Sequence, residues 1–210
     1  KWEVFMLIIL HTKIVNAQIK GTQDEGVAAT VKHFPGIGDR NEFRDTHFCP
    51  SYIPLSLDEW WKEQGKTFQA TIDAGVYSVM INHRSFPAVD NSKLKGRYRP
   101  ATVSGKIITD LLKGEMGFNG VVITDGIVMA GLTGCYDSYE DLLVDLVNAG
   151  NDVLLGTYPG AGDIIEKAVN DGKISESRID DACRRILDMK EKIGLFDDKF
   201  WYPPYKAEDV

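Results

Sequence analysis

Residues 116–126 read MGFNGVVITDG, and this stretch decides the fold class. Its apolar run 121–124 is flanked by glycine and rich in β-branched residues, which is typical of a short strand buried on both faces. The strand delivers the carboxylate of Asp125 to its carboxyl end, and Gly126 lets the backbone behind it approach closely. In parallel α/β folds, reactive side chains gather at that end. The stretch therefore predicts a parallel sheet with Asp125 at its functional edge.

The alternation of helix and strand continues on both sides of this stretch. Strands are predicted at 27–34, 76–81, 121–124 and 152–155. Helices are predicted at 13–23, 56–72, 104–116, 138–148, 163–170 and 176–193, with Ser56 and Ser175 as N-caps. Four βα units suit a (β/α)8 barrel or a doubly wound sheet, and no G-x-G-x-x-G follows the first strand. A complete barrel takes about 250 residues, so we expect about the C-terminal half of a TIM-barrel-like α/β fold.

Length and composition indicate a single, ordinary globular domain. The 210 residues are 43% hydrophobic and 26% charged, and the segment 198–210, with two prolines, is expected to be a tail or linker. The formal charge of −7 disfavours nucleic acid or an anionic membrane as partner, since either needs a basic face. A neutral or polar small substrate fits better.

The N-terminal apolar run 4–10 is much shorter than the roughly 20 residues of a transmembrane helix. A signal-peptide interpretation is weakened by the charge at Lys13, so we expect a buried segment and a cytoplasmic protein, with secretion left open. Cys49, Cys135 and Cys183 are far apart and show no C-x-x-C spacing. They predict reduced, mostly buried thiols rather than a disulfide framework or a zinc site.

Two other strand ends carry polar side chains that suit catalysis or binding. Lys32 and His33 end the first strand, and the loop after them contains Asp45 and His47, two residues apart. In an extended segment these side chains point to the same side, so the carboxylate orients the imidazole as an acid/base group. An exposed surface pair is the alternative. His83, after the second strand, lines a pocket or caps the strand, and Asp125 alone also fits an N-cap.

Taken together, the motifs resemble glycoside hydrolase family 3. They are KHFPGIG at 32–38, DTH at 45–47, MGFNGVVITDGIVMAGL at 116–132 and DGKISESRIDDACRRILDMKEKIGLFD at 171–197. The resemblance extends over about 17–197 and implies that Asp125 is the nucleophile. It places Lys32 and His33 on sugar hydroxyls, and we count His83 and Met129 as further substrate-binding candidates.

The D-x-H pair resembles the branch of the family that acts on β-N-acetylglucosaminides. That branch implies Asp45 and His47 as the acid/base pair on a mobile loop and a retaining, double-displacement reaction. Two features depart from the family pattern: Ile37 stands where histidine is frequent, and the stretch 38–45 is about two residues longer. The resemblance also implies that an upstream aspartate and arginine, which bind the sugar, lie outside these residues.

Several alternatives stay open beside this hypothesis. A family 3 β-glucosidase or glycoside phosphorylase is one class, because a neutral histidine tolerates phosphate as acceptor better than a carboxylate does. A non-catalytic fragment that dimerises through exposed sheet edges is another. A metal enzyme is disfavoured, because His11, His33, His47 and His83 lack ligand spacing such as H-E-x-x-H. No cofactor is expected.

Overall fold

A computed structural model describes residues 2–36 and 45–197 of the chain, with side chains from Leu10 onward. The fold is a layer of helices against a parallel sheet. The helices are α1 (Trp2–Asp24), α2 (Leu57–Trp60), α3 (Lys66–Asp73), α4 (Ala130–Thr133), α5 (Tyr139–Ala149), α6 (Ala161–Asn170) and α7 (Glu176–Lys192). A π-helical segment, Trp61–Gly65, joins α2 to α3, and a second, Lys106–Glu115, follows the short 3-10 helix Ala101–Val103. The strands are β1 (Thr30–Phe34), β2 (Ser78–Ile81), β3 (Lys93–Leu94), β4 (Arg97–Tyr98) and β5 (Val121–Thr124).

The main sheet has the order β1-β2-β5, and all its pairs are parallel. Three of the predicted strands are confirmed, and 121–124 has the predicted bounds. The fourth was predicted at 152–155, but only Val153 forms a bridge, to Ile123 of β5. A side-chain contact takes the place of one strand-to-strand hydrogen bond, because the Asp152 carboxylate accepts a hydrogen bond from the amide of Val122 at 2.8 Å. The α/β class with a parallel sheet is therefore confirmed, with a fourth neighbour reduced to one bridge.

The helix starts follow the predicted chemistry. Ser56 accepts the amide of Glu59 at 3.3 Å, and the Glu59 carboxylate accepts the amide of Ser56 at 2.9 Å, which is a capping box. Ser175 accepts the amide of Arg178 at 3.2 Å and caps α7 as predicted. The β3–β4 hairpin and α4 lie in segments for which the sequence predicted only loops.

An aromatic core fills the space between β1, β2 and the helices that follow them. The rings of Phe34 and Phe68 lie 5.1 Å apart, those of Phe34 and Trp60 5.9 Å, and those of Trp60 and Phe86 5.6 Å. Phe34, Trp60 and Phe86 have no exposed surface. This core fixes the carboxyl end of β1, where the candidate site begins.

Two predictions about the N-terminus and the cysteines need correction. The helix predicted from residue 13 extends back to Trp2. Leu10 is 56% exposed, so the predicted burial fails at the one residue of the run whose side chain is described. Among the described residues, no helix combines the length and apolar character that crossing a membrane requires. All three cysteines are unpaired as predicted, but Cys183 is exposed. The predicted tail, 198–210, lies outside the described residues.

A buried ion cluster joins α7 and the second π-helical segment to the amino end of β5. The Asp152 side chain is completely buried, Lys113 approaches it at 3.1 Å, and Arg178 forms a charge-assisted hydrogen bond with it. Burial lowers the pKa of Lys113, and the Asp152 carboxylate opposes that shift. Arg178 also donates to the carbonyl of Asn151 at 3.0 Å. The cluster therefore connects segments that are distant in sequence.

Replacing Asp152 with alanine is expected to destabilise the chain by about 3 kcal/mol, because Lys113 and Arg178 would lose their fully buried counter-charge and keep only the partly exposed carboxylate of Asp181. Urea denaturation followed by far-ultraviolet circular dichroism measures this change. Glu140→Ala, which removes the more exposed ion pair with Lys173, serves as the control and should change the midpoint little. Equal midpoints for the two variants would contradict the role given to the cluster.

Candidate active site

The carboxyl ends of β1, β2 and β5 meet at one edge of the sheet, and Asp125 directly follows β5 there. Its amide donates to the carbonyl of Ile81 at 2.8 Å, and its Oδ1 accepts the amide of Gly126 at 2.8 Å. Oδ2 lies 3.9 Å from Nε2 of His33, and 21% of the Asp125 side chain is exposed. The N-cap of the next helix is Met129, not Asp125. The carboxylate is thus fixed in direction and open to a substrate.

His33 reaches Asp125 because the pairing of β1 with β2 is irregular at this position. Lys32 pairs with Met80 and Phe34 with Ile81, so His33 has no partner in the ladder. A bulge of this kind redirects a side chain. Burial lowers the pKa of His33, the Asp125 carboxylate opposes the shift, and Lys32 and Arg84 reinforce it. The ring is therefore neutral near neutral pH and able to donate to or accept from a hydroxyl group.

The turn after β1 is held by two side chains from other elements. Nε1 of Trp60 donates to the carbonyl of Pro35 at 2.6 Å, and Nδ2 of Asn82 donates to the carbonyl of Gly36 at 2.8 Å. Gly36 has a φ of 127°, a conformation that side chains with Cβ rarely adopt. The backbone of this proline–glycine turn is therefore tight, while residues 37–44, with the departures from the family pattern, lie outside the described part of the chain.

The structure brings Asp45 and His47 into contact. Oδ1 of Asp45 lies 2.6 Å from Nδ1 of His47 and accepts the backbone amide of His47 at 2.9 Å. These two bonds, the backbone bond first, lower the pKa of Asp45, so the carboxylate stays ionised and acts only as an acceptor. His47 therefore carries the proton on Nδ1 and presents Nε2 outward. Both side chains are more than half exposed.

The backbone around the pair is a turn, not the extended segment that the sequence suggested. The amides of Phe48 and Cys49 both donate to the carbonyl of Asp45 at 3.0 Å. Asp45 therefore closes the turn with its main chain and orients the imidazole with its side chain. The pair forms through local hydrogen bonds, which is why an i, i+2 spacing sufficed to predict the contact.

The end of this loop is tied to the loop after β2. Ser85 donates its amide to the carbonyl of Ser51 at 2.9 Å, and Ile53 donates to the carbonyl of Ser85 at 2.8 Å. Nη1 of Arg84 donates to Oγ of Ser51 at 2.9 Å. The Arg84 cation also contributes to the low pKa of Asp45. Arg84 thus supports the segment that contains Asp45 and His47 through a hydrogen bond and through its charge.

His83 has a different environment from a sugar-binding side chain. It is 1% exposed, its Nε2 lies 2.9 Å from the carbonyl of Gly126, and its Nδ1 lies 2.6 Å from Oγ1 of Thr102. A carbonyl only accepts, so Nε2 carries the proton. Burial lowers the pKa of His83, which favours the neutral ring. Both nitrogens are used within the protein, and the side chain holds the backbone next to Asp125.

Lys32 and Met129 differ in their access to solvent. Lys32 is exposed at the end of β1, as expected of a side chain that meets a sugar. Met129 is only 8% exposed, and its side chain lies close to Gly126. The structure thus leaves Lys32 and His33 accessible and buries the other two candidates, His83 and Met129.

Three further features of the described residues concern metal binding, a cavity beside β1 and the free edge of that strand. In the described ranges 2–36 and 45–197, no three His, Cys, Asp or Glu side chains converge in a way that could hold a metal ion. A cavity of about 1190 Å³ lies between α1, β1 and α3 and reaches His33. Within the same ranges, β1 has a strand neighbour on one side only.

A family model described as "Glycosyl hydrolase family 3 N terminal domain" matches residues 9–189. The chain belongs to glycoside hydrolase family 3. The family expected from the motifs is therefore confirmed, and the match includes every candidate residue at the strand ends. Within the family, relatives with different activities are similar to this chain.

Three of these relatives illustrate the range. A protein from Cellulomonas fimi named beta-N-acetylglucosaminidase/beta-glucosidase is 34% identical over 84% of this chain, which spans 32% of that protein. The structure of a family 3 beta-N-acetylglucosaminidase from Paenibacillus sp. is 36% identical, with a TM-score of 0.79, over 88% of this chain and 35% of that one. A beta-glucoside phosphorylase structure is 31% identical, with a TM-score of 0.82, over 92% of this chain and 35% of that one. The family 3 chain thus spans about a third of these relatives.

Because burial lowers the pKa of His83, the unfolded chain takes up a proton at a higher pH than the folded chain does. Folding free energy should therefore be lost as the pH falls below about 6.5, toward the lowered pKa of the folded state. Urea unfolding at pH 7.5 and 5.5 measures this loss. His83→Gln, which keeps a donor for the Gly126 carbonyl, should reduce it, whereas the surface variant His11→Gln should not. A pH dependence unchanged in His83→Gln would exclude His83 as its source.

Proposed function

We propose that this chain carries the catalytic-loop part of a retaining β-N-acetylglucosaminidase. Its substrates would be oligosaccharides or peptidoglycan fragments that end in β-linked N-acetylglucosamine. The observation that carries the proposal is the exposed Asp45–His47 pair, with its contact of 2.6 Å, on the loop after β1. Asp125 lies at the end of β5, on the same edge of the sheet. Two groups of the required types are thus present in the loops where this architecture places catalysis.

In the first step, a carboxylate oxygen of Asp125 forms a bond to the anomeric carbon. The bond from that carbon to the leaving oxygen breaks, and the imidazolium form of His47 donates its Nε2 proton to the leaving oxygen. In the second step, His47 removes a proton from water, which attacks the anomeric carbon and releases Asp125. Two inversions give net retention, with the imidazole in place of the usual second carboxylate. Asp45 keeps the ring oriented and stabilises its positive charge.

Lys32 and His33 are the groups that we assign to sugar hydroxyls. Nε2 of His33 lies 3.9 Å from Oδ2 of Asp125, and its side chain is 32% exposed, while Lys32 is exposed next to it in β1. His83 and Met129 receive supporting roles instead of the direct sugar contacts expected from sequence, because each is less than a tenth exposed. His83 restrains Gly126, and Met129 packs beside it.

A phosphorylase is the second candidate function. The phosphorylase structure has a slightly higher TM-score than the glucosaminidase structure, 0.82 against 0.79, and a lower identity, 31% against 36%. A neutral imidazole also does not repel an approaching phosphate. The first step would be the same, and phosphate would then replace water as the acceptor on the anomeric carbon. A β-glucosidase is the remaining variant, since the Cellulomonas relative carries both names.

We also propose that residues 1–210 form one unit, about half of a (β/α)8 barrel. Its support is the order of the parallel neighbours, β1, β2, β5 and the bridge at Val153, which follows the order of the chain. A closed barrel has no edge strands, whereas the described residues leave the outer side of β1 unpaired. This edge would pair with a strand from further chain or from a second copy.

Asp125→Asn is expected to reduce turnover of 4-nitrophenyl β-N-acetylglucosaminide by at least about 1,000-fold, because the amide cannot serve as nucleophile. His47→Ala should lose about 100-fold or more on alkyl glycosides. Its loss should be much smaller on aryl glycosides whose leaving group needs no proton. Initial rates for each substrate measure both effects, and His11→Ala is the matched histidine control.

The stereochemistry and the acceptor distinguish the candidates. Proton NMR during the reaction should show the β-anomer first, and an α-anomer as first product would exclude the retaining mechanism. Phosphorus NMR in phosphate buffer should show no sugar 1-phosphate. Accumulation of that product would favour the phosphorylase.

The unpaired edge of β1 predicts self-association of the isolated chain. Sedimentation velocity at rising concentration should show dimers or larger species, and Thr30→Lys, which places a charge on the exposed edge, should shift the population toward monomer. Lys20→Thr on α1 provides a surface control. A wild-type chain that stays monomeric at all concentrations would contradict the prediction.

A further inference from the structure

The turn that carries His47, residues 45–49, is hydrogen-bonded to the backbone segment that follows Asp125, the proposed nucleophile. Ala130 donates its amide to the carbonyl of His47 at 3.0 Å, and Gly131 donates its amide to the carbonyl of Thr46 at 3.1 Å. Two consecutive amides thus meet two consecutive carbonyls. We call these four residues, Thr46, His47, Ala130 and Gly131, the loop seat.

Gly131 allows this contact because it has no Cβ. A Cβ at this position would lie 2.3 Å from the carbonyl oxygen of Thr46 and 3.0 Å from that of Cys49. These atoms belong to the backbone, so no side-chain rotation would relieve the overlap. Any larger residue at position 131 must displace the turn that carries His47.

The other end of the same segment is fixed to the nucleophile. The carbonyl of Gly126 accepts the amide of Met129 at 3.1 Å and lies 2.9 Å from Nε2 of His83. Ile127 donates its amide to the carbonyl of Leu155 at 3.0 Å. The six steps from Asp125 to Gly131 are therefore restrained along their length. The turn 45–49 is itself closed by Asp45, so it moves as a unit.

We propose that Gly131 is a positioning residue that sets the separation between Asp125 and His47. The inference rests on the proposed function, because the separation between Asp125 and His47 matters for catalysis only if these residues act as nucleophile and acid/base. The loop seat joins the two catalytic groups by backbone hydrogen bonds alone. Displacing the turn leaves the Asp45–His47 contact intact and moves the imidazole away from the leaving oxygen.

Gly131→Ala tests this role, and Ala130→Pro provides a second, independent disruption of the loop seat. Met129 has φ −65° and ψ 132°, which suits the residue before a proline, and position 130 is the first of α4, where proline is tolerated. The proline removes the amide that bonds His47. Gly105→Ala is the control, since no atom lies within 4 Å of the Cβ that it adds.

The kinetic readout is the dependence of kcat on the leaving group. Both variants should lose at least about tenfold on glycosides with poor leaving groups and less than about threefold on activated aryl glycosides, because only the former need the proton from His47. Gly105→Ala should match the wild type throughout. A uniform loss for all leaving groups, or no loss, would overturn the proposal.

Hydrogen exchange of the amides at 130 and 131, measured by NMR, separates this inference from the proposed function. The wild-type amides should be protected, and exchange at Ala130 should accelerate at least tenfold in Gly131→Ala, with an unchanged circular dichroism spectrum. If the wild-type chain hydrolyses no glycoside, the proposed function fails, and the exchange data still decide whether the seat exists. Unprotected wild-type amides would overturn the inference.

Discussion

The hydrogen bonds and ion pairs of the buried Asp152 carboxylate are the interactions on which the rest of the structure depends. This carboxylate accepts the amide of Val122 and neutralises Lys113 and Arg178, so it fixes the amino end of β5 to two helical segments. A carboxylate without exposed surface is stable only with such partners. This attachment holds the amino end of β5 in place. Asp125 follows the carboxyl end of the same strand, so its position depends on where the strand is held.

The candidate site is built mainly by contacts to backbone carbonyls. Trp60 holds Pro35, Asn82 holds Gly36, and His83 holds Gly126, each from a neighbouring element. Loops that carry function lack ladder hydrogen bonds, so side chains must satisfy their polar groups. The site therefore depends on residues that never reach the substrate. Their burial in the aromatic core, or next to it, restrains the exposed groups.

How much could be predicted from sequence depended on the range of each interaction. The strand 121–124 was predicted with its observed bounds, because glycines and β-branched residues mark it locally. The Asp45–His47 contact was also predicted, although a turn rather than an extended segment creates it. The roles of Asp152 and Gly131 were not, because their partners are distant in the chain: 39 residues separate Lys113 from Asp152. No local sequence pattern shows that the carbonyl oxygen of Thr46 lies 2.3 Å from the place that a Cβ at Gly131 would occupy.

The loop seat affects which amino-acid substitutions this chain can accept near His47. Its two hydrogen bonds use only main-chain atoms, so they restrict side chains only at Gly131 and exclude proline at position 130. Phe48 is 79% exposed and Val128 is 47% exposed, and Ala130 also faces solvent. Phe48 belongs to the turn 45–49, and Ala130 is hydrogen-bonded to it through its amide. If the proposed function holds, side chains at these exposed positions can change and alter the fit of a leaving group while the backbone contact is preserved.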